Sequence, residues 1–544
     1  MILFLRMESI KRSIIPLFVL VILLCTFLGV TEYTAAQTSS RQTTIIVPIT
    51  EYEWWLLRWS DNEILCTIHV DHEGVPTTNE VRQQCDIDTY QDWLATPPCK
   101  QIVRGNPDIA ACSGLYLFFV SSQAKEKEVI IELPEPVVWV ELEGCSPVPP
   151  DNFCSSLPAL LLIGEEPLPN EKITAIQGTY AGSPFYCEGD HCSLPLQATP
   201  VQGITVEFWA DSSYGDSSQK FTAQVRVIDS GVSTAPGGGG YYVDVLSSQW
   251  RGEALASCAK TWEVFPPAGG LPEWLSTPDQ KELLSSDEAY YYLAGRLIAQ
   301  GVVDVRSCTT GGLLPNGYAD ACGLESARPA IQVWQNQFDA RIIEASKATS
   351  IPAQLLKNLF AQESQFWPGV FRVAFEFGLG QITDKGADTI LLWNETFYNQ
   401  FCPLVLAEEA CAGGYLKLKP DEQAILRGAL AVEARADCRD CLTGVDLSNA
   451  NMSVALFADT LKANCDQVGQ IVNYATEQVP GAVSNYEDLW RFTVANYHAG
   501  PGCLSYAINM AWQSSPGLLT WEKVSGYFTD TCKGVIPYVD KITQ

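Results

Sequence analysis

Histidine is scarce, with four in 544 residues, and basic side chains are outnumbered, 34 Lys+Arg against 63 Asp+Glu. The resulting formal net charge of −29 argues against a phosphate-backbone partner, because no basic patch offsets that self-repulsion, and no nucleic acid is expected to bind. The shortage of histidine bears on metals. Cys66, His69 and His72 stand at a C-x-x-H-x-x-H spacing, but they span a strand and the following turn, where alternation keeps three side chains from converging. No metal and no cofactor is expected. There is no G-x-S-x-G elbow, no P-loop and no dinucleotide fingerprint. Beyond the first 36 residues no apolar run reads as a transmembrane segment.

The N-terminus carries a targeting pattern. Arg6, Lys11 and Arg12 form a basic start, Ser13 to Val30 is apolar and uncharged, and Thr34-Ala35-Ala36 offers small residues at a cleavage-site spacing. Residues 1–36 are therefore read as a signal peptide. The apolar run is long enough for an uncleaved anchor as well, which would be the chain's one attachment to a membrane. Either way the rest of the chain is expected outside the cytoplasm. Cysteine usage agrees: of 19, Cys25 lies in the leader, and the remaining 18 suit an oxidising compartment and up to nine disulfides. Short spacings suggest the pairs Cys99/Cys112, Cys145/Cys154, Cys187/Cys192, Cys308/Cys322 and Cys402/Cys411. In "CRDC", Cys438 and Cys441 lack the strand-then-helix context of a redox motif and read as structural.

Two kinds of pattern follow one another along the chain. From 42 to about 263, short β-branched and aromatic runs such as "TTIIVPI", "EILCTIHV", "GLYLFFV", "EVIIEL" and "ITVEFWA" alternate with Gly, Pro, Asn and Asp. A break at "ELPEP" divides them into modules 42–137 and 138–263, both sandwich-like, with "TAPGGGG" as a hairpin loop. "EYEWWLLRW" invites a sugar-stacking reading, yet Trp54 and Trp55 must face opposite sides of a strand, and strand aromatics are more often core. "FPPAGGLPEW" opens a linker and helical connector, 264–330. After it, helical periodicity dominates 331–544, so the residues alone give two β-rich modules followed by a mostly α region.

Within that last region "LLKNLFAQESQFWPG" places a carboxylate on an apolar stripe. Leu355, Leu356, Leu359 and Phe360 follow the helical period, Ser350 is the expected N-cap, Pro352 fits the first turn, and Glu363 falls on the same face in the last turn. A glutamate there is costly unless it is paired, neutral or useful. Burial and the negative end of its own helix both favour the protonated form, which can act as a general acid.

Glu363 is followed by Ser364, Phe366 and Pro368, then by "FGLGQIT" (377–383) and, far downstream, by "ANYHAGPG" (495–502). This ordered set resembles the lytic transglycosylase and goose-type lysozyme family, with its E-S-x-F-x-P, G-L-M-Q-[IL] and A-Y-N-A-G-P-G motifs. "NANMSVALFADTL" (449–461) is similar to the family's N-I-x-x-G helix, with Asn451 at its asparagine. The resemblance covers about 331–544 and implies that this region is a mostly α, lysozyme-like (α+β) catalytic domain, with peptidoglycan glycan strands as substrate and Glu363 as the single acid/base. In ordinary glycosidases a second carboxylate acts. Here the resemblance implies that the sugar's own 6-hydroxyl attacks, leaving a 1,6-anhydromuramyl end.

By the same resemblance Ser364, Phe366, Gly380, Gln381, Ile382, Tyr497 and His498 are the expected substrate contacts, and Glu376, a carboxylate added beside the motif, is expected to position substrate or a water. For Gln381 and Tyr497 the alternative is a buried hydrogen-bonding pair that holds the fold; for Glu376 it is a solvated loop charge. Gly500 and Gly502 suit backbone conformation. Four positions depart from the family: Gly380 for methionine, His498 for asparagine, Arg372 for serine, and Phe375-Glu376 for small residues. Two other functions remain open at this point, a lysozyme-type hydrolase and a catalytically silent wall-binding or adhesion protein.

Overall fold

The computed structural model describes residues 41–97, 112–146, 152–234, 238–252, 258–268, 270–286, 288–368, 376–438, 440–441 and 443–544. The leader, Cys99, Arg372 and Phe375 lie outside the described residues. A β-rich N-terminal part is followed by a helical C-terminal part. The chain divides into two compact units, one of residues 1–135 with 166–171 and 214–217, the other of 136–165, 172–213 and 218–544.

In the first unit a three-stranded antiparallel sheet has the order β2-β1-β3, with β1 Gln42–Arg58, β2 Ile64–Val70 and β3 Leu115–Glu132. The two runs "GLYLFFV" and "EVIIEL" are thus one strand. The polar stretch between them pairs in register with β1, Ile49 opposite Lys125 and Glu51 opposite Gln123. A two-stranded ribbon without a covered face loses the apolar alternation while its backbone ladder continues. Two helices, Thr78–Gln84 and Ile87–Leu94, were not legible among the strands; Thr77 and Glu80 form a capping box on the first. Trp54 packs against the small core of Leu56, Ile68, Val70, Val81 and Leu115, whereas Trp55 donates its indole N–H to Glu53 at 3.0 Å. Cys66 is joined to Cys85, and His72 lies 3.0 Å from Glu80, so the C-x-x-H-x-x-H spacing is spent on other partners.

The second unit begins as a sandwich. One sheet runs β5-β12-β11-β10-β7-β8 and the other β4-β6-β9. These strands are β4 Val137–Glu143, β5 Phe153–Cys154, β6 Ala159–Glu165, β7 Ile173–Tyr180, β8 Ser183–Glu188, β9 His191–Pro195, β10 Ile204–Ser212, β11 Phe221–Thr234 and β12 Gly238–Ser247. Alternate residues of each strand point inward: Val138, Val140, Leu160 and Leu162 from one sheet meet Val206, Phe208, Val225 and Val243 from the other. β11 and β12 pair antiparallel up to Thr234 and Gly238, the hairpin that the place of "TAPGGGG" between two strand-like runs predicts.

The helical part has a large core running from Ala259 and Trp262 to Val539 and Ile542, and a smaller one around Ile390, Leu391, Tyr398, Cys402, Leu426 and Leu430. The segment expected as a connector contributes to it through Trp274, Leu275, Tyr290 and Leu293. Cys258 is bonded to Cys465, and the Trp262 indole donates to the Cys465 carbonyl at 3.0 Å. The odd number of cysteines in 331–544 is resolved by that pairing, since Cys465 reaches outside the region. Eight disulfides are seen among the described residues, including Cys145–Cys154, Cys187–Cys192, Cys308–Cys322, Cys402–Cys411, Cys438–Cys441 and Cys503–Cys532. Cys112 is also disulfide-bonded. Such a framework forms in oxidising, extracytoplasmic compartments. No helix among the described residues is long and apolar enough to cross a membrane.

Candidate active site

Glu363 is the last residue of the helix Ala353–Glu363. Ser350 does not cap it. Ser350 ends the preceding helix, Asp339–Thr349, in the left-handed region at φ 61°, and Pro352 occupies the N-cap position. Two helices meeting over three residues need a sharp reversal there, which overrides serine's capping preference. Leu355, Leu356, Leu359 and Phe360 are fully buried, as the periodicity requires. On the same helix Lys357 is buried against Asp339 at 2.8 Å, a pair that fixes it to the helix before.

After Glu363 the chain turns abruptly through Gln365 and Phe366, both left-handed. The strain is held by contacts on all sides. Ser364 is buried and donates its hydroxyl to the Leu379 carbonyl at 2.7 Å. Gln365 Oε1 accepts from the backbone N–H groups of Tyr292 and Leu293, at 2.9 and 3.1 Å. Phe366 is enclosed by Phe338, Phe360 and Tyr290, and its carbonyl accepts from the Trp334 indole at 2.8 Å.

Glu363 faces a cleft of about 780 Å³ that also meets Glu376, Gln381, Lys385, Tyr497, His498 and Tyr506. The carboxyl is half-buried. Desolvation pushes its pKa up to about 7; the Glu376 charge adds to this, and a hydrogen bond from Tyr538 acts against it. The Tyr538 hydroxyl donates to Glu363 Oε1. Burial and the nearby Glu363 charge hold the Tyr538 hydroxyl well above its ordinary pKa, so it stays a donor. A carboxyl poised near neutrality in an open cleft can deliver a proton and take one back.

Of the residues expected to touch substrate, Glu376, Gln381, Tyr497 and His498 line the cleft with Glu363. Ser364, Phe366, Gly380 and Ile382 do not appear on its surface; they hold the turn that shapes it. Ile382 is 4% exposed and pairs with Phe377 through both backbone hydrogen bonds, at 3.0 Å each. Gly380 is read by two neighbours. Its carbonyl accepts from the Tyr497 hydroxyl, and a Cβ at that position would lie 2.0 Å from the Phe457 ring. Phe457 therefore fills the volume that a methionine would need, which explains the glycine. Tyr497 stands edge-on to the same Phe457 ring, 5.1 Å between centroids. Gln381 is left-handed, φ 55°, and its Nε2 donates to the Gly378 carbonyl at 2.7 Å. For Gln381 and Tyr497 the fold-holding and groove-lining roles coexist.

His498 stacks on Tyr538, with centroids 3.9 Å apart and 17° between planes, while its other side is open to solvent. Partial desolvation lowers its pKa from 6.5. Asn451 does not reach the cleft: its carbonyl lies 3.4 Å from Arg341 Nε, on a separate depression. The long helix Leu447–Thr476 acts here through Ser453, whose hydroxyl accepts from the Leu379 N–H at 3.1 Å, and through Phe457. Tyr538, the residue most closely tied to Glu363, carried no signal in the sequence beyond its place in an amphipathic C-terminal helix, Val535–Ile542. Among the described residues no group of three or more His, Cys, Asp or Glu is placed to hold a metal ion. No family model matches the chain, and no curated protein matches it significantly.

Proposed function

We propose that the protein is an exported glycan-cleaving enzyme of the lytic transglycosylase type, with a lysozyme-like helical domain acting on the MurNAc–GlcNAc β-1,4 bond of peptidoglycan. The observation that carries this reading is Glu363, half-buried in the cleft, raised to a pKa of about 7 and bonded to a tyrosine that cannot compete for its proton. Protonated Glu363 gives its proton to the glycosidic oxygen as the C1–O bond breaks. The carboxylate then removes the proton from the 6-hydroxyl, which attacks C1 and closes the anhydro ring. Glu363 ends protonated again, so one carboxyl serves both halves of the turnover.

A hydrolase is the second reading, and Glu376 favours it. This carboxylate lines the same cleft and is near enough to raise the Glu363 pKa, so it supplies the second charge that a water-activating mechanism uses. The two reactions differ by one water in the product. Purified sacculi digested with the protein separate all the readings: anhydro ends mean transglycosylase, reducing ends mean hydrolase, and co-sedimentation without release means a wall-binding or adhesion protein.

A further inference from the structure

Two amides line the same cleft and have no part in the chemistry above, Asn464 and Asn496. Both are almost wholly buried, 3% and 2% exposed. A chain of hydrogen bonds fixes which end of each amide points where. Asn464 donates Nδ2–H to the Thr460 carbonyl one turn earlier, at 2.9 Å, which leaves its Oδ1 as an acceptor. Asn496 Nδ2 donates to that oxygen at 2.7 Å and to Gln467 Oε1 at 2.8 Å. Turning the Asn496 amide over would set its oxygen 2.7 Å from Asn464 Oδ1, whose own orientation the Thr460 carbonyl fixes, so the Asn496 orientation is determined. Both of its hydrogens are therefore committed, and Asn496 Oδ1 accepts no hydrogen bond from any described residue. A buried carbonyl oxygen left in that state carries the full cost of its lost hydration.

We propose that Asn496 Oδ1 receives the acetamido N–H of a 2-acetamido sugar, and that Asn464 and Gln467 serve to hold it ready. The site accepts and cannot donate. A sugar hydroxyl buried against it would keep a lone-pair requirement unmet, whereas an amide N–H has one hydrogen to give and nothing to receive. A carboxylate or phosphate finds only an oxygen there. That the ligand is a glycan rests on the function proposed above; that the site takes a neutral donor rests on the amide network alone.

The Glu363→Gln protein, which cannot turn substrate over, is titrated with an N-acetylglucosamine tetramer and with the same oligosaccharide fully de-N-acetylated. Deacetylation creates ammonium groups that Glu376 and the acidic protein attract, so charge alone predicts tighter binding. The acceptor site predicts binding at least tenfold weaker. Equal or tighter binding of the deacetylated sugar overturns the proposal, and this comparison needs no change at Asn496. In Asn496→Ala, checked for folding by its melting curve, the preference for the acetylated sugar should fall below threefold; a preference that survives there also overturns it. If neither sugar binds, the glycan reading of the cleft fails as well, whereas equal binding of both sinks only the role given to Asn496.

Discussion

Tyr538 and Glu363, 175 residues apart in sequence, share a hydrogen bond in which the phenol donates to the carboxyl. The bond favours the ionised carboxylate, while burial and Glu376 favour the protonated acid. The balance near neutrality depends on all three. Tyr538→Phe removes the one influence that lowers the pKa. The limb of the pH–activity profile on which Glu363 loses its proton should then move to higher pH, with kcat falling several-fold as the carboxyl loses its fixed orientation. The profile is read on solubilised sacculi at six or more pH values. A limb that stays in place, or moves down, contradicts the role given to Tyr538.

Gly380 and Phe457 exchange volume. Gly380→Met forces a side chain into space the Phe457 ring occupies, 2.0 Å from the position of the first added carbon. Overpacking of this kind costs about 1–3 kcal/mol, and a drop of a few degrees in Tm is expected. Phe457→Ala in the same chain should restore part of the loss, although alone it destabilises by opening a cavity. If the single Gly380→Met variant melts with the parent, the complementarity of these two positions is wrong.

Disulfide contributions should rank by the loop each closes. Cys258–Cys465 spans 207 residues and Cys438–Cys441 spans three. On the chain-entropy account the first is worth about 5 kcal/mol and the second far less. Paired Cys→Ser replacements compared by chemical denaturation test the order. Equal losses would show that native-state contacts, and not loop closure, set these values.

Much of this arrangement is legible in the residues, and the part that is not has a physical explanation. The apolar stripe of Leu355, Leu356, Leu359 and Phe360 is a local pattern, so the helix and the face that Glu363 shares could be read directly. The strands of the sandwich were similarly readable as short β-branched and aromatic runs, although not their pairing. The motif residues were harder to sort, because Ser364, Phe366, Gly380 and Ile382 lie beside cleft residues in sequence yet point into the turn. Neighbours in a tight turn with left-handed residues diverge in direction, and no periodicity describes them. Asn451 lost its expected place to Ser453 and Phe457 on the same helix, a matter of which face meets the loop. Tyr538 was invisible for a different reason: its partner is distant in sequence, and a tyrosine on an amphipathic helix names no carboxylate.

His498 offers a narrower test. Its pKa is lowered from 6.5, so it is neutral at and above neutrality and gains charge only on the acid side of that value. His498→Asn should keep kcat within about tenfold and remove whatever pH dependence of KM lies below about 6.5. Because the ring stacks on Tyr538, a loss of kcat no larger than that of Tyr538→Phe reflects the lost stack, whereas a collapse of kcat well beyond it would place His498 in proton transfer and end the single-glutamate mechanism.

The central claim is that Glu363 is the acid/base of glycan cleavage. Purified sacculi are incubated with the wild-type chain and with Glu363→Gln, and the released material is analysed by mass spectrometry. Removing a general acid typically costs 10²–10⁴ in rate, and here the same group serves as base, so release should fall by about 10³ or more. The fold should survive, because the amide keeps the shape and still accepts from Tyr538. Its stability relative to the parent should rise between pH 4.5 and about 7. A raised folded-state pKa stabilises the parent fully below 4.5, and that advantage is lost as the pH climbs through 7. Anhydro-ended muropeptides from the wild type and almost none from a folded Glu363→Gln protein are the predicted result. Release by the variant within a few-fold of the wild type would contradict the assignment.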